Sequence, residues 1–254
     1  TYTVRIRNNG VLSQDNYTVK IMDINNIELA SVAGPPIDSL QTLYVEVPWV
    51  PTNPGAITIY GKVVMDGDEI ATNNNTPSLN LMVNPAGVVS VTVGDGSQLA
   101  RLPVDMFWRN SLFQSLYFPD EMGGFIGQIT GLRFFNNFTT NLPGTPISVW
   151  LGTTTQTSLE DGFIPSTQLT LVHDGPVDFP SGENTIVINF NEPFMYLDGG
   201  NLVLMVYKTA ASWYSSTDNF KCQTIGSDRS RNTYSDSETY DPANPPTGSL
   251  SGQF

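Results

Sequence analysis

The stretch that decides the fold opens the chain: Tyr2-Thr3-Val4-Arg5-Ile6-Arg7, followed by Asn8-Asn9-Gly10. Tyr2, Val4 and Ile6 fall on one side of an extended backbone and Thr3, Arg5 and Arg7 on the other, the period-two alternation of a half-buried strand. Asn-Asn-Gly stops it with residues that tolerate the backbone angles of a tight turn. The same grammar repeats downstream. Residues 17–21, 27–32, 43–47, 56–64 and 79–83 read as strands. They are separated by Asn25-Asn26, Gly34-Pro35-Pro36, Pro51-Thr52-Asn53-Pro54-Gly55 and Asn73-Asn74-Asn75-Thr76-Pro77. No stretch in this half keeps a helical period. Short strands with turn signals at this spacing predict a β-sandwich.

Asn84-Pro85-Ala86-Gly87 closes this series, and a second begins at 88. Strands are expected there at 88–93, 127–135, 147–151, 169–173, 185–190 and 202–207. Aromatics crowd its start: Phe107, Trp108, Phe113, Tyr117, Phe118, Phe134, Phe135 and Phe138. Pro119-Asp120-Glu121-Met122 predicts a single helical turn, because acidic residues favour a helix start; residues 159–164 predict a weaker one. Residues 227–248, dense in Ser, Asp, Asn and Pro, read as a long loop pinned by Tyr234 and Tyr240. The second series predicts a larger two-sheet sandwich of jelly-roll type.

Composition narrows the chemistry. Against 24 Asp and Glu stand 11 Lys and Arg, a formal net charge of −13. Nucleic acids and anionic membranes need a basic face, so neither is expected as a partner. No apolar run suits a transmembrane helix, and no membrane insertion is expected. The chain has one His, His173, and one Cys, Cys222. These residue types carry most nucleophilic, acid–base and transition-metal chemistry, so zinc and a catalytic triad are not expected. No Gly-x-Ser-x-Gly elbow occurs, and His173 reads as a strand-edge residue. Only a carboxylate pair drawn from Glu121, Glu160, Glu183 and Glu192 leaves glycoside hydrolysis open. Cys222 reads as a buried thiol. The chain opens directly in a strand, without a signal peptide, and is read as a piece of a longer precursor.

Three pieces in residues 1–85 occur together: Val4-Arg5-Ile6-Arg7-Asn8-Asn9-Gly10, then Trp49-Val50-Pro51 with Gly55 and the run 57–64, then Asp68-Glu69-Ile70 with Asn73-Asn74 and Thr76. This region resembles the bacterial cell-adhesion-related domain, which implies a seven-stranded immunoglobulin-like sandwich serving as spacer or adhesive unit. Residues 88–254 carry Gly94-Asp95-Gly96, Gln114-Ser115-Leu116-Tyr117, Ile147-Ser148-Val149-Trp150-Leu151-Gly152-Thr153-Thr154 and Asn201-Leu202-Val203-Leu204. They are similar to jelly-roll-like adhesin and accessory domains of Bacteroidota-type secreted surface proteins. The expected fold is thus all-β, an immunoglobulin-like sandwich followed by a larger jelly-roll-like one. The resemblance implies a secreted or cell-surface location.

Candidate site residues follow from surface chemistry. Trp213-Tyr214 sits among Ser212, Ser215, Ser216 and Asp218, where a loop would present it. Trp108, followed by Arg109 and Asn110, is next, and Trp49 is a further ring; Trp150 reads as core. A flat ring with a polar edge stacks on the C–H face of a sugar while carboxylates and amides bind its hydroxyls. Trp213, Tyr214, Trp108 and Asp218 are therefore the expected ligand-binding residues. Hard cations need several oxygens, which makes Asp66 and Asp68 in Asp66-Gly67-Asp68-Glu69, together with Asp95, Asp120 and Glu121, the candidate calcium ligands. The Asp66–Glu69 stretch lacks full EF-hand spacing and reads more simply as a solvated turn. No cofactor is required, and a structural calcium is implied by analogy alone. The expected function is non-catalytic adhesion or binding, with a surface glycan or protein as partner. Two alternatives stand beside it: a carbohydrate-binding accessory module of a polysaccharide-degrading enzyme, and a repeat of an extracellular fibre or surface layer that self-assembles through neighbouring copies.

Overall fold

The computed structural model describes residues 1–68, 70–224 and 228–252; it is all-β, with no α-helix among the described residues. The chain divides into two compact units, Thr1–Ser90 and Val91–Phe254.

The strands of the first unit are β1 (Tyr2–Arg7), β2 (Tyr17–Asp23), β3 (Glu28–Ala33), β4 (Thr42–Val47), β5 (Gly55–Met65) and β6 (Leu79–Val83). β1 and β4 form a two-stranded antiparallel sheet, and the others a four-stranded sheet in the order β3-β2-β5-β6. The alternation of β1 is realised: Val4 and Ile6 are buried while Thr3, Arg5 and Arg7 are exposed. Val4 and Ile6 share one core with Val19, Ile21, Ile37, Val45, Val47 and Ile59. Gly61 of β5 lies directly beneath β1. A Cβ there would stand 3.0 Å from Val4 Cγ1, so the missing side chain lets the two sheets close.

The strands of the second unit are β7 (Gln98–Ala100), β8 (Asn110–Tyr117), β9 (Gly127–Phe138), β10 (Leu142–Thr154), β11 (Thr170–Phe179), β12 (Gly182–Tyr196), β13 (Asn201–Thr209), β14 (Asn219–Cys222), β15 (Ser230–Ser235) and β16 (Ser249–Leu250). They make a six-stranded sheet, β11-β10-β13-β8-β15-β16, and a four-stranded one, β12-β9-β14-β7. Between them lies the main core, in which Phe138, Phe179 and Phe220 pack ring against ring beside Leu151, Val206 and Ile188. Cys222 is buried in β14, and burial together with the nearby Asp95 charge pushes its thiol pKa up.

The six-stranded sheet is buried on its outer face as well. Leu112 and Leu116 of β8 and Val203, Met205 and Tyr207 of β13 point away from the main core into two further clusters, roofed by Leu159, Phe163, Ile164, Leu169 and Tyr240. A strand covered on both faces needs no polar alternation, which is why 202–207 is an unbroken apolar run. The roof joins no sheet and carries only a short 3-10 turn at Ser166–Gln168, and polar side chains hold it. Gln114 Nε2 donates to Ile164 O (2.9 Å) while Ile164 N–H donates to Gln114 Oε1 (2.7 Å). Arg231, buried in β15, donates from Nε to Leu159 O (2.8 Å), from Nη2 to Glu160 O (2.9 Å), and from Nη1 to Thr247 O and Gly248 O. Gly248 is at φ 61°, and a Cβ there would lie 2.6 Å from the Phe163 ring, so only glycine lets the two roof segments meet.

At the opposite edge, β11 and β12 are clasped by side chains. His173 Nδ1 lies 3.0 Å from Asn189 O, and Asp174 N–H donates to Asn191 Oδ1 at 2.9 Å. His173 therefore sits in an edge strand, where its ring meets Asn189 O while Asn191 meets Asp174 N–H, backbone groups that an edge would otherwise leave open.

Several sequence expectations are corrected. Residues 88–93 are not a strand; Val88, Val89 and Val91 are exposed and find no partner strand. Pro119–Met122, by contrast, does form a single hydrogen-bonded turn, with Met122 N–H donating to Phe118 O, and Gly123 and Gly124 at φ 64° and 69° end it there. Residues 159–164 likewise form a turn. The 227–248 loop contains β15, whose polar residues pair with β8 along the sheet; Ser227 lies outside the described residues.

Arg231→Met would leave four carbonyls short of their donor. We expect it to lower the unfolding free energy of the second unit by about 2–4 kcal/mol. Urea melts followed by tryptophan fluorescence test this; an unchanged midpoint would mean that the roof is held by its apolar contacts alone.

Candidate functional site

Sheet register brings three loops to one rim. Asn110, which starts β8, pairs with Thr209 at the end of β13 and with Ser235 at the end of β15. The loops 101–109, 210–218 and 236–248 therefore leave the sheet at the same end. Ala210 N–H donates to Arg109 O (3.0 Å), Tyr214 N–H to Met106 O (3.0 Å) and Arg109 N–H to Asp236 Oδ1 (3.1 Å), so the three loops are tied together.

Aromatic rings line this rim in a row. Trp213 and Phe107 have centroids 6.3 Å apart, Phe107 and Trp108 meet edge to face at 5.2 Å, and Trp108 stacks on Tyr234 at 5.0 Å with an 18° interplanar angle. Trp213 is 59% and Tyr234 44% exposed, unusual for rings of this size in a folded domain. The Arg101 guanidinium lies over the Phe107 ring, 5.2 Å from its centroid, and 3.6 Å from Asp105. Arg109 is exposed beside Trp108. Trp108 Nε1 is a buried donor without a protein acceptor among the described residues.

Beneath the rings lies a buried charge. Lys208 of β13 is fully buried, and its Nζ donates to the backbone carbonyl of Trp108. Burial pulls its pKa down to about 8, against the opposing pull of the Asp105 and Asp236 charges. Asp105 is buried too; burial pushes its carboxyl up, although Arg101, the Phe107 N–H and Lys208 act the other way. The ammonium thus fixes the main chain that carries Trp108, at a desolvation cost that the neighbouring carboxylates offset only in part.

The predicted ligand residues separate. Trp213 and Trp108 come together, joined through Phe107. Tyr214 instead packs against the main core. Asp218 is fully buried and accepts from Thr139 N–H (2.8 Å), Thr140 N–H (3.0 Å) and Thr139 Oγ1 (3.0 Å), which makes it a staple for the β9–β10 turn. Trp49 packs against Tyr2 in the first unit, and Trp150 is half-buried under the roof. Phe107, Tyr234, Arg101 and Lys208 were not predicted. Phe107 adjoins Trp108 in sequence and could have been read with it; Tyr234 reaches the site only through the β8–β15 register.

The predicted cation ligands do not gather. Asp66 is exposed in the β5–β6 connection, where Asp68 accepts from Ile70 N–H (3.1 Å) and Asn74 Nδ2 (2.6 Å), which lowers its pKa; Glu69 lies outside the described residues. Asp95 accepts from Ser97 N–H at 2.9 Å, and Asp120 is exposed in its turn. Glu121 is held by Arg229 through two bonds of 2.7 and 2.8 Å and accepts from Phe118 N–H, while the Phe118 ring lies beneath the Arg229 guanidinium. No group of three or more His, Cys, Asp or Glu among the described residues is placed to hold a metal ion. These carboxylates serve turns and an ion pair, an arrangement that does not fit a calcium cage. Of the carboxylates weighed for glycoside hydrolysis, Glu121 and Glu183 are paired with Arg229 and Lys221. Glu160 is exposed next to Asp228, whose carboxyl raises its pKa by hydrogen bonding to the protonated form and by like charge.

Lys208 makes stability depend on pH. Its folded pKa lies below the ordinary lysine value, so from about pH 8 to 10 the unfolded chain holds more protons and stability rises with pH. The buried Cys222 thiol, with its raised pKa, pulls the other way from near pH 9. Urea midpoints of the second unit are expected to climb between pH 7.5 and 9 and to stay flat in Lys208→Met; a flat wild-type profile would contradict a lowered Lys208 pKa. No protein-family model, no curated protein and no solved structure matches this chain.

Proposed function

We propose that the chain is a non-catalytic extracellular binding module whose second unit grips a surface glycan at the aromatic rim. The observation that carries this reading is the row Trp213–Phe107–Trp108–Tyr234, exposed at both ends and backed by fixed charge. Exposed faces of Trp213 and Tyr234 stack on sugar rings, and Arg109, Arg101 and Asp236 bind hydroxyl or carboxylate groups around them. No bond is made or broken; affinity comes from apolar area and oriented polar contacts. The role fits either an adhesin or an accessory module of a degradative enzyme, since both need only this surface.

The finer architecture belongs to the same proposal. Two facing sheets of two and four strands support an immunoglobulin-like first unit, here with six strands. Successive strands that cross between sheets, from β8 to β9 to β10 and from β12 to β13 to β14 to β15, support a jelly-roll-like second unit.

A glycan array and an insoluble-polysaccharide pull-down, each run with and without calcium, test the function. Binding to at least one glycan is expected, weakened about tenfold or more by Trp213→Ala and by Tyr234→Ala, in the range of one lost stacking contact, and unaffected by Trp49→Ala. Absence of binding to any sugar, or full retention in both rim variants, would remove the reading. Dependence on calcium would restore a cation to the account.

A further inference from the structure

β1 pairs only with β4, so along its other side, among the described residues, every second residue of the strand turns its N–H and C=O to an unfilled edge.

A second observation, from the facing sheet, points to the same place. Gly61 beneath Val4 sets β1 over β5. β6 lies one strand further out in its sheet. Its register pairs Leu79 with Ile59, Leu81 with Ile57 and Val83 with Gly55, which puts Leu79, Leu81 and Val83 on the core face. Yet Leu79 is 51% exposed where its partner Ile59 is 2%, and Leu81 and Val83 are only half-buried. On the β3 side the sandwich is partly closed. There the β3–β4 connection places Ile37 in the core at 4% exposure, held by paired main-chain bonds of 3.0 and 2.8 Å with Gln14. On the β1/β6 side, then, both the backbone of β1 and the core-facing side chains of β6 are unfilled among the described residues.

We propose that this edge accepts an extended strand of a partner polypeptide, alternating apolar and acidic residues. The backbone of the incoming strand continues the β4-β1 sheet. Its apolar residues face Leu79, Leu81 and Val83 across the core, at the two-residue spacing of a strand. Its acidic residues lie on the outer face next to Arg5 and Arg7. These two arginines stand opposite Tyr44 and Thr42 on β4; the one carboxylate on the outer face of their sheet, Glu46, stands opposite Thr3, diagonal to Arg5. Opposite charges across neighbouring strands stabilise pairing and like charges oppose it. This inference is independent of the glycan rim, which lies in the other unit.

The test uses the full chain and synthetic peptides. The probe is a capped heptapeptide, Val-Glu-Val-Glu-Val-Glu-Val; the controls replace Glu by Lys, or the central residue by Pro. One-to-one binding of the Glu peptide is expected, with slowed amide exchange along Tyr2–Arg7 and a higher melting temperature for the first unit. The Lys peptide should bind at least tenfold more weakly at low salt, and the Pro peptide not measurably. Arg5→Glu/Arg7→Glu, at two exposed positions, should reverse the preference between the Glu and Lys peptides. Failure of every peptide to bind, equal binding of the Glu and Lys peptides, or protection confined to residues outside β1 would overturn the proposal. So would a concentration-dependent dimer that excludes the peptide, since the occupant would then be a second copy of the chain.

Discussion

Arg231 spends its guanidinium on main-chain carbonyls. Four of them, from Leu159, Glu160, Thr247 and Gly248, accept from it, and they belong to two segments that have no sheet to join. An irregular segment can be buried only if its polar backbone atoms find partners. By satisfying them from within β15, Arg231 lets 159–164 and 240–248 lie flat over the six-stranded sheet. Gln114 does the same for Ile164 from β8. With the roof in place, β8 and β13 are buried on both faces, and the central sheet becomes the rigid part of the second unit.

The aromatic rim depends on that rigidity. Its three loops spring from β8, β13 and β15, the strands that the roof clamps, and their ends are in register. Lys208 extends the same logic, since a buried ammonium tied to the Trp108 carbonyl keeps one ring in position from below. Binding surfaces built of stacked rings lose affinity when the rings must be ordered by the ligand itself. Here the ordering is done by the fold, and the proposed glycan contact costs correspondingly little to form.

The two units differ in how much of them could be read directly. In the first, each expected strand is present, because a sheet with one wet face writes its burial into alternating residues such as Val4/Arg5/Ile6/Arg7. In the second, β15 was hidden. Ser230-Arg231-Asn232-Thr233-Tyr234-Ser235 carries no apolar alternation, and its place in the sheet comes from β8 and from the roof, both remote in sequence. Residues 88–93 failed in the opposite way, having a strand-like composition and no partner to pair with. The site was legible in part for the same reason. Trp108 and Trp213 announce themselves as large rings in polar surroundings, and local composition also suggested Tyr214 and Asp218. Direction along the chain then decides the matter, since Trp213 turns outward while its neighbour Tyr214 turns into the core. Carboxylates in turns looked like cation ligands because an Asx turn and a calcium loop draw on the same residues.

Cys222 closes the account of the second unit. Its sulfur is enclosed in β14, and the thiol resists ionisation there. Disulfide exchange proceeds through an accessible thiolate. In an oxidising medium the chain would therefore carry its single sulfhydryl as inert filling, neither cross-linking to a sister molecule nor scrambling with the cysteines of neighbours.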